Sequence, residues 1–415
     1  MNIWSSDLVT PPIWGRLEPG LSSVTTIEPD VRRLDVVDLG RGAVMALMAV
    51  DHTRTFLTSV TYNPSDLTRT FPALFLTRWV SHFCTPMFLF LAGAGVFFMV
   101  GRRHPALAAG RLVTRGFALI VLELTVVRWG WYFNLDYRHT SLQVLWAIGA
   151  SMILLAPLIV LPSRVVGAIG LTVVALHNAV GPIVRDSPIG ESWPWALLYE
   201  RGRVLGVAPN VSVTVNFPVL PLFGIMAIGY AFGEIWRWRS ADRRRACLVA
   251  GIACLAFFVI LRIPNLYGDP VPWTSQADYV RTAFSVLVLT KHPLSLSMAL
   301  ATLGPALIWM GMVRPERPIW RGLIIVGRVP MLFYLLHVPV IHAVACLYSW
   351  RATGDVAWLL TSPYDRGATS APAGWGFGLP GIYAWSLVLL VALYPVCHRY
   401  ADLKVRSRSA WLSYL

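Results

Sequence analysis

Long apolar stretches separated by short polar connections dominate the pattern of this chain. A helix that crosses a bilayer needs about twenty apolar residues. Residues 1–33 form a polar segment before the first such stretch, and residues 402–415 form a basic tail after the last. The pattern therefore predicts a single all-α, polytopic membrane domain over residues 34–401, with ten helices at 36–57, 74–100, 112–133, 141–161, 165–180, 215–236, 247–263, 293–313, 323–348 and 377–400.

Positive charge is unevenly distributed between the connections. If the N-terminus is inside, the inner connections hold about twice as many Lys and Arg residues as the outer ones, although most outer connections are longer. Two inner segments, 101–116 ("GRRHPALAAGRLVTRG") and 236–245 ("WRWRSADRRR"), carry much of this charge. Because Lys and Arg are retained on the cytoplasmic side, we expect about ten transmembrane helices with cytoplasmic N- and C-termini.

Composition supports this class and excludes others. Of the 415 residues, 56% are hydrophobic and 13% are charged, whereas roughly a quarter of the residues in a soluble protein are charged. The net charge of +14 lies in loops and not in a basic groove interleaved with aromatic residues, so no nucleic-acid partner is expected. The five cysteines lie in or beside apolar segments without C-x-x-C spacing, which argues against a disulfide framework or a thiolate metal site.

The first predicted helix contains ionisable residues, in "LGRGAVMALMAVDHTRTF". At about 100° per residue, Arg41 and His52 lie within about 20° of one face, roughly 16 Å apart along the axis. An ionisable group inside a span is a functional candidate. Two plainer interpretations stay open. Asp38 and Arg41 could simply form an ion pair, and His52 and Arg54 could simply lie at the water interface on the outer side of the membrane.

A histidine near a proline marks the second predicted helix. His82 lies four residues before Pro86, whose missing N–H predicts an interruption of the helix. The interruption is consistent with a cavity lined by His82. A packing kink with His82 bonded to a neighbouring helix is the alternative.

Four further polar residues lie inside predicted helices. Glu123 and Arg128 are five residues apart, so we expect each to meet another helix in a structural role. His337 and His342 are also five apart, which is not the i, i+4 spacing of a helical metal site, so no metal is expected. We interpret His337 as a candidate for the cavity and His342 as structural.

Three stretches of the chain resemble a known family. "RRLDVVDLGRGAVMALMAVDHTRTFL", "DLTRTFPALFLTRWVSHFCTPMFLFLAG" and "GRVPMLFYLLHVPVIH" are similar to the bacterial branch of the heparan-alpha-glucosaminide N-acetyltransferase catalytic-domain family. The spacing of Arg41 and His52 also resembles the R-x10-H pattern of acyltransferase-3 type membrane proteins. The resemblance implies a multi-pass protein of the bacterial cytoplasmic membrane that moves an acyl group from cytoplasmic acyl-CoA to an extracytoplasmic acceptor, commonly a glycan.

The resemblance also implies roles for particular residues. His52 would be the catalytic histidine, Arg41 would support the acyl-CoA side, and Asp51 and His82 would lie close to the site. The imidazole would act either as a general base or through an acyl-histidine. Asp51 could orient the ring of His52 only at a bent helix end, because adjacent helical residues point about 100° apart.

The implied donor is acetyl-CoA or another acyl-CoA, with no metal. Its phosphates would be attracted to the basic inner loops, where Arg102, Arg103 and Arg111 are the candidates. The other partners are the lipid bilayer and a carbohydrate acceptor, and a homodimer is compatible with the sequence.

Two alternative functions stay open from the sequence. One is a transporter or permease in which His52, His82 and Glu123 form a proton relay. The other is a non-catalytic membrane scaffold, in which the same residues would affect stability alone.

Overall fold

Helices make up most of the protein. The computed structural model describes residues 34–101, 104–361 and 371–407, and all ten predicted apolar segments are helical over most of their length. The helices are α1 Asp35–Leu57, α2 Pro72–Val80, α3 Cys84–Val100, α4 Pro105–Leu122, α5 Arg128–Tyr132, α6 Val144–Leu155, α7 Ser163–Arg185, α8 Trp193–Leu198, α9 Val219–Phe232, α10 Ser240–Arg262, α11 Tyr279–Leu287, α12 Leu296–Met312, α13 Arg321–Arg328, α14 Pro330–Thr353 and α15 Leu379–Arg406.

Among the described residues, six helical segments are long and apolar enough to cross a membrane. Two further apolar helices, Val144–Val160 and Leu296–Met312, are shorter. α1 has 23 residues but carries charged groups in its first and last turns, so its apolar stretch is shorter than its length. The six segments are Pro72–Val100, Ser163–Arg185, Val219–Arg237, Ser240–Arg262, Pro330–Thr353 and Leu379–Arg406.

α1 is packed on several sides. It contacts α13, α14, α15 and α3, and 15 of its 23 residues are buried. Elsewhere α10 packs on α12, α4 packs on α6, and α9 lies between α3 and α7. Gly93 of α3 lies against the backbone of α9, where a Cβ would overlap the carbonyl oxygen of Met226. Small residues at such contacts let helix backbones approach closely.

Three of the predicted segments are interrupted. A 3-10 turn at Ser81–Phe83 separates α2 from α3, at the point predicted from His82 and Pro86. A π-helical turn at Glu123–Val127 separates α4 from α5. The predicted helix at 323–348 is two helices, because Val329, with φ −131° and ψ 51°, precedes Pro330. A residue before proline is disfavoured in the α conformation.

A small sheet is added to the predicted all-α fold. Strands β1 His139–Leu142, β2 Val204–Ala208 and β3 Val211–Val215 form a three-stranded sheet in the order β1-β3-β2. β1 runs parallel to β3, with Leu142 opposite Val215, and β2 runs antiparallel to β3. β1 ends just before α6 and β3 ends just before α9, so the sheet positions Gln143, Asn216 and Phe217 between strands and helices.

The end of α1 is joined to the start of α15. The Phe377 N–H donates to the Leu57 carbonyl at 2.7 Å, and the Ser59 N–H donates to the Phe377 carbonyl at 3.1 Å. Asp278 and Ser295 cap the N-termini of α11 and α12 through their side chains. These bonds order the loops around the C-terminal end of α1.

Candidate active site

Two adjoining cavities lie beside the last turns of α1. The smaller, which we call the inner cavity, has a volume of about 50 Å³ and is lined by Asp51 and His52. The larger, which we call the vestibule, has a volume of about 340 Å³. The two cavities adjoin, because three residues line both of them: Gln143, Phe217 and Lys291.

His52 is hydrogen-bonded to a second histidine. Its Nδ1 lies 2.7 Å from Nε2 of His337, which is 285 positions away in the sequence. Nδ1 of His337 lies 3.0 Å from the Phe333 carbonyl oxygen. Because a carbonyl only accepts, neutral His337 carries its proton on Nδ1 and accepts at Nε2. Neutral His52 must then donate from Nδ1, which leaves a lone pair on its Nε2.

Aromatic rings hold this histidine pair in place. The ring of His52 meets Trp131 edge-on, with centroids 5.0 Å apart and planes at 77°. The ring of His337 stacks on Phe333 at 5.5 Å, and its exposed fraction is 0%. His52 is partly exposed and lines the inner cavity together with Trp131. The imidazole of His52 is therefore oriented by packing as well as by a hydrogen bond.

His342 lies apart from this pair. Its Nδ1 is 2.9 Å from the Gly130 carbonyl oxygen and its Nε2 is 3.0 Å from the Leu359 carbonyl oxygen. Its ring also stacks on Phe133, with centroids 3.9 Å apart. These contacts connect α14 to α5 and to the loop after α14, in agreement with the structural role expected from the sequence.

Asp51 lines the inner cavity and binds two arginines. Its carboxylate accepts from Arg54 at 3.0 Å and from Arg78 at 2.8 Å, and its exposed fraction is 7%. The carboxylate thus pairs with guanidinium groups from both α1 and α2, and its single negative charge offsets one of the two positive charges. The ring of His52 is oriented by its hydrogen bond to His337, whereas Asp51 bonds to guanidinium groups.

His82 lines the vestibule. It lies in the 3-10 turn between α2 and α3, with an exposed fraction of 8%. Its Nδ1 has no hydrogen-bond partner among the described residues. The structure therefore brings His82 close to the site of His52, in the adjoining cavity.

The remaining predicted site residues are basic. Arg41 pairs with Asp38 at 3.3 Å and donates to the Leu91 carbonyl at 3.2 Å, and it lines neither cavity. Its position near the start of α1 is opposite to that of His52. Arg102 and Arg103 lie outside the described residues.

Several lining residues were missed by sequence reasoning. Gln143 and Lys291 line both cavities, Tyr334 lines the inner cavity, and Arg201 lines the vestibule. From the sequence, Lys291 and Arg201 count only as loop charges. One usable signal was the alternation in "VLGVAPNVSVTV" at 204–215, which is typical of a hairpin and would have placed the sheet.

Glu123 meets another helix, as the sequence predicts, but its partners there are backbone groups. Its Oε2 accepts from the N–H groups of Leu145 at 2.9 Å and Trp146 at 3.2 Å, at the start of α6. The exposed fraction of Glu123 is 1%, and it lines neither cavity. Over the described ranges, no group of three or more His, Cys, Asp or Glu residues could hold a metal ion.

One known protein family matches a region of the chain that includes part of this site. The model of the family described as "Heparan-alpha-glucosaminide N-acetyltransferase, catalytic" matches residues 33–261, which is more than half of the chain. The matched region contains Asp51, His52 and His82, whereas His337 and Lys291 lie beyond its end. No curated protein matches the chain. The match confirms the resemblance to the heparan-alpha-glucosaminide N-acetyltransferase catalytic family, at the level of the family as a whole.

Proposed function

The chain belongs to the heparan-alpha-glucosaminide N-acetyltransferase catalytic family, and from this premise we propose that it moves an acetyl group from acetyl-CoA, or another acyl group from its CoA thioester, to a glycan on the opposite side of the membrane. It is an integral membrane protein, with six apolar helices in the described residues that are long enough to span a bilayer. The observation that carries the proposal is that His52, whose Nδ1 is bonded to His337, lines the inner cavity.

In the proposed reaction His52 is the general base. Its Nε2 takes the proton from a hydroxyl or amine of the acceptor while that oxygen or nitrogen attacks the thioester carbonyl. The new bond joins the acceptor to the acyl carbon, the carbon–sulfur bond breaks, and the CoA thiolate takes up the proton from His52. His337 continues to accept from Nδ1 of His52 in the imidazolium state, so the pair supports both protonation states.

The same lone pair suits the covalent variant of the mechanism. Nε2 of His52 would attack the thioester and form an acyl-histidine, which the acceptor then attacks. Rapid quenching after mixing with radiolabelled acetyl-CoA distinguishes the two routes. We expect no labelled protein for direct transfer, and label retained on the chain in the absence of acceptor for the covalent route.

We propose ten spans with both termini in the cytoplasm of a bacterium and the protein in its inner membrane. Support comes from the basic inner connections and from the helical conformation of all ten apolar segments. In this orientation His52 and the vestibule lie toward the acceptor side. Arg41 lies about 16 Å toward the cytoplasm, where the basic loop containing Arg102 and Arg103 would attract the CoA phosphates.

Replacement of His52 tests the proposed function. A strain that lacks the gene is complemented with the wild-type chain, with His52→Ala, or with His398→Ala. His398 is a half-exposed histidine near the end of α15, bonded to Asp402 at 3.2 Å, and serves as the matched control. We expect membrane glycans to carry the mass increment of an acetyl group with the wild type and the control, and transfer to fall roughly 10²–10⁴-fold with His52→Ala.

Undiminished acetylation by a correctly inserted His52→Ala variant would overturn this proposal. Substrate flux in proteoliposomes without acyl-CoA turnover would instead favour a transporter. Of the three residues in the relay that such a transporter would need, His52 and His82 line adjoining cavities, whereas Glu123 lines neither cavity.

A further inference from the structure

The two cavities have an excess of positive charge. Their lining residues include three with cationic side chains, Arg78, Arg201 and Lys291, and one with an acidic side chain, Asp51. The carboxylate of Asp51 already accepts from both Arg54 and Arg78. Its single negative charge therefore leaves the charge of Lys291 uncompensated.

Lys291 is held in place by a well-bonded loop. The carboxylate of Asp269 accepts from the Thr290 N–H at 2.8 Å, from the Thr290 hydroxyl at 2.9 Å and from the Ser295 hydroxyl at 2.6 Å. These bonds fix the backbone on both sides of Lys291. Within the described part of the chain, no acidic side chain forms an ion pair with Lys291.

Two histidines that line the vestibule each have a ring nitrogen without a hydrogen-bond partner among the described residues. Nδ1 of His82 and Nδ1 of His292 are both buried and have no partner among the described residues. More than nine-tenths of the His82 side chain is buried. Buried polar groups are normally paired, and a partly buried ammonium group favours a counter-charge. A ligand with acceptor oxygens and a negative charge supplies this counter-charge to Lys291.

We propose that the vestibule binds an oxyanion (a carboxylate, sulfate or phosphate) carried by the acceptor, with Lys291 and Arg201 as its anchors. Lys291 also lines the inner cavity beside His52. An anion bound to Lys291 therefore places a neighbouring hydroxyl or amine of the same acceptor next to the His52 imidazole. The assignment of this anion to the acceptor rests on the proposed function, whereas the anion site itself does not.

The alternative source of an oxyanion is the CoA moiety of the donor. The vestibule lies beside the C-terminal end of α1, whereas Arg41 lies near its start, on the side proposed for the donor. The inner cavity, with a volume of about 50 Å³, has space for an acyl group and not for a nucleotide. The vestibule therefore fits the acceptor better than the CoA phosphates.

Sulfate titration tests the anion site without any acyl transfer. The whole chain is purified in detergent, and its melting temperature is followed by tryptophan fluorescence in sodium sulfate and in sodium chloride at equal ionic strength. The chain has two lysines, so Lys404→Met is a control that removes the same charge outside the cavities. We expect a saturable sulfate-specific rise for the wild type and Lys404→Met, and its loss in Lys291→Met.

A general salting effect of sulfate raises stability without saturation, and it should persist in all variants. Arg201→Gln provides a second test if Lys291→Met folds poorly, because the Arg201 side chain is exposed. A saturable rise of unchanged size in Lys291→Met and Arg201→Gln, or no saturable rise in the wild type, would overturn the proposal.

Acetyl-CoA serves as the probe for the source of the anion. A ligand that binds only the folded chain raises its melting temperature. We expect acetyl-CoA to stabilise Lys291→Met as much as the wild type, since the anion site belongs to the acceptor. Loss of this stabilisation in Lys291→Met would assign the site to the donor and overturn our assignment. Both outcomes are independent of the His52→Ala result, so the two proposals fail separately.

Discussion

At the scale of single residues, the protonation of the histidine pair follows from one backbone carbonyl. Phe333 accepts from Nδ1 of His337, which sets His337 as acceptor and His52 as donor between the two rings. Because the proton of His52 is on Nδ1, its Nε2 carries a lone pair. His337 touches neither cavity, so its contribution is to position His52.

We expect His337→Ala to lower kcat by at least roughly 10- to 100-fold, the loss found when a partner that orients a metal-ligating histidine is removed. The KM for acetyl-CoA should be nearly unchanged, because His337 does not line the cavities. The measurement is steady-state acyl transfer by purified protein.

The matched variant is His337→Gln, whose side-chain carbonyl can still accept from Nδ1 of His52. Partial recovery of kcat in His337→Gln relative to His337→Ala indicates positioning. Equal losses of kcat in both variants, together with equal falls in melting temperature, would indicate that His337 serves packing alone.

At the scale of elements, close helix contacts position α1 and thereby His52. Gly42 of α1 faces the backbone of α13, and a Cβ at this position would overlap the carbonyl oxygen of Leu323. α13 is short and ends where Pro330 begins α14, the helix that carries His337. The contact between α1 and α13 therefore lies near the N-terminal ends of α1 and α14, the helices that carry His52 and His337.

We expect Gly42→Ala to destabilise the protein by roughly 1–3 kcal/mol, the usual cost of overpacking. The cost arises because the obstructing atoms belong to backbone and cannot rotate away. Gly110→Ala is the control, because Gly110 lies in α4 with no atom within 4 Å of an added Cβ. It should raise stability by roughly 0.5–1 kcal/mol. Thermal unfolding in detergent measures both, and equal effects of the two substitutions would contradict the contact.

At the scale of the whole molecule, the charge around Lys291 depends on elements far apart in the chain. Arg78 belongs to α2, Asp51 to α1, and Arg201 to the loop before β2. Burial in this environment, followed by repulsion from Arg78, lowers the pKa of Lys291 to about 8 from its ordinary 10.5. The titratable and charged groups that surround it are Asp51, His52, Arg78, His82, Cys84, Arg201, His292 and Tyr334.

We expect the sulfate-specific stabilisation to be full below pH 8 and to fade as pH rises through about 8, because only protonated Lys291 attracts the anion. Without sulfate, the effect of Lys291 on the pH dependence of stability has the opposite sign. Between pH 8 and 10.5 the unfolded chain binds more protons at Lys291 than the folded chain, so this group makes the free energy of unfolding rise with pH. Melting temperatures of the wild type and Lys291→Met over this range measure both effects, and identical pH profiles would contradict them.

The sequence by itself determined the features that depend on near neighbours. Hydropathy over about twenty residues identified ten helical segments, and the helical period placed Arg41 and His52 on one face. The proline rule located the interruption between α2 and α3 beside His82. The break at Val329 follows from a second effect of proline, the restricted conformation of the residue before Pro330, but it lies within a stretch that hydropathy predicts as one helix.

Only the tertiary structure decided which groups surround His52. Its partner His337 is 285 positions away, and Lys291 and Gln143 reach the cavities from a loop and from the end of a strand. Such contacts depend on how helices pack and where loops turn, and neither is encoded in local periodicity. A hydrogen bond requires two atoms to lie within about 3 Å. That distance is set by the packing of the whole bundle and not by any single segment.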